Sequence, residues 1–122
     1  MIIAVDFDGV IAKYDGFCGK RVFGKPIDGV RDGLASLRAN GHTILINTTR
    51  LEVDEVSKYL DKNKLPYDHI NYCPLNNERF LHPAKQCADI YLDDRAICFK
   101  GDWEQTVQDV EDFKPWWKKD GK

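Results

Sequence analysis

Two aspartates separated by one residue, Asp6 and Asp8 in Asp6-Phe7-Asp8-Gly9-Val10, follow directly on the apolar run Ile2-Ile3-Ala4-Val5. Two further acids, Asp93-Asp94, follow Ile90-Tyr91-Leu92, and Thr48-Thr49-Arg50 follows Thr43-Ile44-Leu45-Ile46-Asn47. Carboxylates and hydroxyls converging from strand ends make an oxygen-rich set of the kind a hard cation selects. Mg²⁺ usually takes one or two carboxylates, several waters and a substrate phosphate. Without a cation the clustered acids would repel one another and hold their protons to higher pH. Each element also has a plainer reading. A D-x-D pair can be a capped turn, although Gly9 stands too early for a calcium loop of the EF-hand type. Asp93-Asp94 by itself suits an exposed turn, Thr48 and Thr49 suit a strand end or helix cap, and Arg50 and Arg95 suit either ion pairs with neighbouring acids or recognition of a second anionic group on a substrate.

The elements that must hold these residues are legible from apolar periodicity. Ile2 to Val5 reads as a strand buried on both faces. Residues 11 to 25 are rich in Gly, Lys and aromatics without a period, and read as a flap loop or small hairpin. Val30, Leu34 and Leu37 stand at i, i+4 and i+7 and close at Asn40-Gly41, which predicts a first helix. Thr43 to Asn47 is a second buried strand. Val53, Val56 and Leu60 mark a second helix ended by Asn63 and Pro66, followed by a weaker strand at His69-Ile70-Asn71-Tyr72 and a polar loop from Cys73 to Pro83. Ala88 to Leu92 reads as another buried strand, and Ile97-Cys98-Phe99 as a last short one. Trp103, Val107 and Val110, behind Asp102 as cap, predict a final helix with those residues on its inner face. Alternating strands and helices predict one α/β domain over 1–122, Rossmann-like and three-layered, with a mostly parallel central sheet and helices on both faces. In such sheets ligands bind at the carboxyl ends of the strands, where the acids and threonines stand.

With 122 residues the chain suits one compact domain. Hydrophobic residues make up 43% and charged residues 31%, an ordinary globular mix. The 18 basic and 20 acidic residues give a formal charge of -2, so nothing at whole-chain level draws the protein to nucleic acid or an anionic membrane. Nucleic acid then enters only as a substrate. No run approaches a membrane span, and the first residues lack the basic region of a signal peptide, which predicts a cytoplasmic protein. Cys18, Cys73, Cys87 and Cys98 match no zinc spacing and read as reduced, structural thiols. His42, His69 and His82 have no ligand-like spacing and receive no role.

On these motifs, in this order, the chain resembles the haloacid dehalogenase superfamily over nearly its whole length. The first motif of that family, D-x-D-G-T/V after a buried strand, matches Asp6 to Val10. The second, a Thr or Ser ending the next strand, matches Thr48, with Thr49-Arg50 resembling a T-x-R form. The third, a lysine ahead of the last core strand, has Lys85 as its candidate, with Lys64 and Lys100 as other lysines. The fourth, paired acids after an apolar run, matches Asp93-Asp94. The resemblance implies a Mg²⁺-dependent phosphohydrolase in which Asp6 attacks phosphorus to give an aspartyl-phosphate. It implies Asp8 as general acid and then general base, with the ion held by Asp6, the backbone carbonyl of Asp8, and Asp94, and with Asp93 as outer or alternate ligand. Thr48, Thr49 and Lys85 would bind phosphoryl oxygens, and Arg50 would contact substrate.

The inserts after Asp8 and after Thr48 are too short for the cap domains of many relatives, so an open, capless site is expected. An open site suits a large or extended phosphorylated substrate, or an oligomer that covers the mouth. Tyr14, Phe17, Arg21 and Phe23 of the flap are the first places to look for specificity. Trp116-Trp117, flanked by lysines, reads either as a partner or oligomer contact or as rings folded back over the sheet edge. Two other functions compete. A receiver-type phospho-acceptor module uses similar groups, but its acceptor follows a middle strand, where this chain has Asn47-Thr48-Thr49. A phospho-ligand binding protein without turnover is the other, and it has no need of Asp8 as a proton donor.

Overall fold

The computed structural model describes residues 1–17, 19, 22–73 and 85–118. Four strands and three helices follow one another as β1 (Ile2–Asp6), α1 (Val30–Ala39), β2 (Thr43–Asn47), α2 (Val53–Lys62), β3 (His69–Ile70), β4 (Ile90–Leu92) and α3 (Trp103–Asp112). The strands form one sheet in the order β3-β2-β1-β4, and every pair in it is parallel. The chain is therefore an α/β protein with a parallel sheet, and no cap is present among the described residues.

The register fixes where the chemistry lies. Val5 stands beside both Ile46 and Leu92, and Asp6 beside Asn47. Asp93, next after Leu92, therefore emerges at the level of Asp6, while Thr48 emerges one residue beyond it on the other side. Three chain segments deliver polar groups to one end of the sheet because the strands are parallel and start in step.

The core explains why this register holds. Ile3 and Val5 of β1 share a face with Ile44 and Ile46 of β2, and against it pack Leu34 of α1 and Val56 and Leu60 of α2. Shifting either strand by one residue would turn these side chains to the other face. Both helices end in the same way. His42 N–H donates to the Leu37 carbonyl and Gly41 N–H to that of Arg38, and Leu65 N–H donates to Leu60 and Lys64 N–H to Asp61. Both endings need a left-handed residue, supplied by Gly41 at φ 90° and by Lys64 at φ 55°.

Three expectations are corrected. Ile97-Cys98-Phe99 forms no strand, because no neighbouring strand offers it a ladder among the described residues. β4 is an edge strand paired to β1 alone, and its residues are exposed rather than buried. Trp103, Val107 and Val110 of α3 are exposed, with Trp103 in tilted contact with Phe99 at 5.2 Å between ring centres. The Asp102 cap is present, its carboxylate accepting from Gln105 N–H at 3.2 Å. The weaker strand at His69 shortens to two residues because Asn71 turns out of it at φ 56°. The polar loop from Cys73 lies, beyond Cys73, outside the described residues up to 84, and so do Cys18 and Arg21.

Candidate metal centre

The turn after β1 is built on Phe7. Its ring is fully buried, edge-on to Phe23 at 5.7 Å and to Tyr59 at 5.1 Å. Its carbonyl accepts from the N–H groups of Ile11 and Ala12 at 2.9 and 3.0 Å, and Gly9 N–H donates back to Ala12 at 2.8 Å. Gly9 takes φ 88°, and a Cβ there would stand 2.2 Å from Oδ2 of Asp94. Glycine is required both by the turn and by the approach of the acid. An apolar anchor between Asp6 and Asp8 thus holds both acids at the strand end.

Asp6, Asp93 and Asp94 each offer a carboxylate oxygen within 4.8 Å of the others. One Asp6 oxygen accepts from Phe7 N–H at 2.9 Å. Burial above all, then the carboxyl contact with Asp94 and the negative charge of Asp93, push the Asp6 carboxyl from its usual 3.8 up to about 8. Asp93 Oδ1 accepts from Arg95 N–H at 2.7 Å. Asp94 Oδ2 accepts from the indole N–H of Trp117, and its Oδ1 is buried without a hydrogen-bond partner. Three acids crowded together, one driven to hold a proton and one with an orphaned buried oxygen, fit a divalent cation with oxygen ligands. Such a cation would supply the positive charge that lets all three ionise together. Acidic clusters also occur without one.

Asp8 lies outside this cluster. Its two oxygens take a forked pair of hydrogen bonds from Arg50, Nε to Oδ2 at 2.7 Å and Nη2 to Oδ1 at 2.9 Å. Arg50 Nη2 also donates to the Val22 carbonyl at 2.8 Å, and its guanidinium lies 4.4 Å from the Phe23 ring centre. The contact with Asp8 raises the Arg50 pKa against the effect of its own partial burial. Arg50, expected as a substrate contact, is thus already engaged by Asp8. The Asp8 charge, after burial, also pushes the Tyr59 hydroxyl up to about 12.

The remaining expected residues divide. Thr49 lines the cleft beside Asp6, but Thr48 does not. The Thr48 hydroxyl accepts from Arg50 N–H at 3.1 Å, and Asn71 grips both its N–H and its carbonyl, at 2.9 and 3.0 Å. Lys85 also lies outside the cleft, with Nζ 4.9 Å from the ring centre of Tyr91. Tyr91 sits midway along β4 beside Ala4, so this lysine is level with the middle of the sheet. Lys64 ends α2.

Both indoles fold back on the turn after β1 rather than over the sheet edge, while the Trp116 ring stays largely exposed. Trp116 donates its indole N–H to the Gly9 carbonyl at 2.8 Å, and Trp117 donates to Asp94. Tyr14 meets the Trp117 ring edge-on at 4.9 Å, and the Arg95 guanidinium stands 5.5 Å from the same ring. The cleft itself is open, about 460 Å³, with Tyr14, Phe17 and Leu51 as apolar walls and Arg95 as a second cation. Sequence reasoning gave no role to Asn71 and none in the cluster to Trp117, whereas Arg95, read as an ion-pair or substrate-anion residue, does line the cleft. Asn71 was open to notice as a residue tolerant of the left-handed conformation directly after a strand.

No protein-family model and no curated protein matches this chain. A solved structure of a conserved protein from Bacteroides thetaiotaomicron is similar, with a TM-score of 0.66 and 25% identity over 95% of this chain and 93% of that one. No helix among the described residues is long and apolar enough to cross a membrane.

Proposed function

We propose that this protein is a Mg²⁺-dependent phosphohydrolase that cleaves phosphate monoesters through an aspartyl-phosphate on Asp6, in the manner of the haloacid dehalogenase superfamily. The observation that carries the reading is the meeting of Asp6, Asp93 and Asp94 at the carboxyl end of adjacent parallel strands, with Asp8 two residues on. Asp6, Asp93 and Asp94 would hold the ion, which would neutralise charge on the phosphoryl oxygens.

In the reaction an Asp6 carboxylate oxygen forms a bond to phosphorus as the bond to the leaving oxygen breaks, and that oxygen departs with the electron pair. Water then attacks the phosphorus of the acyl-phosphate. Asp8 takes the proton of that water, inorganic phosphate leaves, and Asp6 is regenerated. The Arg50 fork makes both Asp8 oxygens acceptors, which suits this second half. Donating a proton in the first half requires Arg50 to release one oxygen. Thr49 and Arg95, which line the cleft, would bind phosphoryl oxygens, and the open mouth with its apolar walls would suit a large phosphorylated substrate. The free thiols of Cys73 and Cys98 suit a reducing compartment such as the cytoplasm.

The same fork favours one second reading, a phospho-ligand binding protein without turnover, in which Asp8 only fixes Arg50. Hydrolysis of a generic aryl phosphate decides between them. Turnover should require Mg²⁺, stop with EDTA, and fall at least about a thousandfold in Asp6→Asn. Activity surviving either treatment refutes the mechanism. Binding of phosphate esters with no turnover across a broad panel establishes the second reading.

A further inference from the structure

The indole of Trp117 and the Asp94 carboxylate meet across 23 residues of sequence, inside the acidic cluster. The contact is not isolated. Trp116 is bonded to the Gly9 carbonyl at 2.8 Å, so the two indoles together tie the tail to both sides of the narrow gap between Gly9 and Asp94. That gap is so close that a Cβ on Gly9 would collide with the very oxygen that Trp117 holds, and would stand 3.1 Å from the indole nitrogen. Tyr14, edge-on at 4.9 Å, and Arg95, over the ring at 5.5 Å, fix the plane of the indole.

We infer that Trp117 is a positioning residue for the cation. Its N–H holds Oδ2 of Asp94, so that Oδ1, buried and without a partner, is the oxygen left to meet the ion. The inference rests on the reading of the cluster as a metal centre. An indole suits this task for a chemical reason. It is a donor only, so it cannot itself compete for the ion as a ligand, and it is uncharged, so it adds no repulsion to an approaching cation. A lysine or arginine in its place would satisfy the same oxygen while occupying the charge the site needs. Carboxylates that bind metals are commonly oriented by such hydrogen bonds, and losing the partner typically lowers metal affinity about 10–100-fold. Trp117 is then part of the site.

The test uses the full chain and Mn²⁺ as probe, its affinity read by electron paramagnetic resonance and by calorimetry. Trp117→Phe keeps the ring and its contact with Tyr14 but removes the donor. Affinity should fall about tenfold or more, while the melting temperature of the ion-free protein changes little. Trp116→Phe, which loses the bond to Gly9 and leaves Asp94 alone, should bind Mn²⁺ nearly as the parent does. Equal affinity in Trp117→Phe overturns the inference, since the indole would then only pack. Tighter binding overturns it too, since the indole would then be blocking the oxygen the ion wants. If the parent chain and Asp94→Asn both fail to bind Mn²⁺, the metal centre itself falls and the inference with it. Should Trp117→Phe fold poorly, ¹⁵N spectra of the parent chain decide. The Trp117 Nε1–H signal should shift on adding Mg²⁺ yet stay slow to exchange, and loss of that protection would refute the role.

Discussion

Protons and Mg²⁺ should compete for Asp6. The carboxyl is pushed up to about 8 by burial and by its two acidic neighbours, so at neutral pH the ion-free protein holds a proton there. A cation must displace that proton before it gains the ligand, and the apparent affinity should therefore rise with pH until Asp6 is ionised. If the whole shift acted, the ionised fraction would grow from about 1% at pH 6 to about half at pH 8, a change of about fiftyfold. Asp6 is only partly enclosed, so water and salt screen the repulsion, and about tenfold, or about 1.4 kcal/mol, is the working figure. Calorimetric titration with Mg²⁺ in buffers of different ionisation enthalpy reads both the affinity and the proton count. About one proton should leave per ion bound at pH 6.5 and almost none at pH 9. Stability carries the same sign. Asp6 ionises near 3.8 when unfolded but near 8 when folded, so the ion-free protein binds the extra proton between these values and loses stability as pH rises through them. Saturating Mg²⁺ should flatten that decline. An affinity constant from pH 6 to 8, with no proton released, would refute the crowding of acids on which the metal centre rests.

Three further perturbations follow from the geometry. Because Arg50 holds both oxygens of Asp8, leaving groups that depart without a proton should be favoured: aryl phosphates should turn over at least about tenfold faster than alkyl phosphates of similar size. Arg50→Gln should narrow that ratio, and an unchanged ratio in steady-state kinetics would show that the fork does not limit proton donation. Gly9→Ala should destabilise the fold by about 1–3 kcal/mol in urea titrations and abolish Mn²⁺ binding, because the new Cβ meets Asp94 Oδ2 at 2.2 Å in a left-handed turn. Lys64→Gly, at the left-handed end of α2, should raise stability by about 0.5–1 kcal/mol without changing ion affinity, and a loss of stability would mean that the strain is absorbed elsewhere.

The parts of the fold that could be read from the sequence are those where one local signal and one packing need coincide. Val30, Leu34 and Leu37 recur at helical spacing because α1 lies against β2, and Gly41 follows because the helix must turn left-handed to return. The ends of β1 and β2 were legible for the same reason: their continuous apolar runs are buried, and the polar residues that stop them fall on the sheet's carboxyl edge. The failures share the opposite cause. Trp103, Val107 and Val110 have helical spacing and yet are exposed, since periodicity shows that a face is apolar but not that anything covers it.

At the site, residue type was legible and pairing was not. Asp6, Asp8, Asp93 and Asp94 could be read as one acidic set, whereas the structure divides them by partner. Three share a space within 4.8 Å, and Asp8 is drawn away by Arg50 from the end of a different strand. That division depends on Phe7, whose buried ring anchors the turn, and on Phe23, which seats the Arg50 guanidinium. Neither effect has a sequence spacing, because it arises from contacts between β1, the flap and the loop after β2. The separation of Asp8 from Asp6 therefore owes less to the acids themselves than to the aromatic residues packed beneath them.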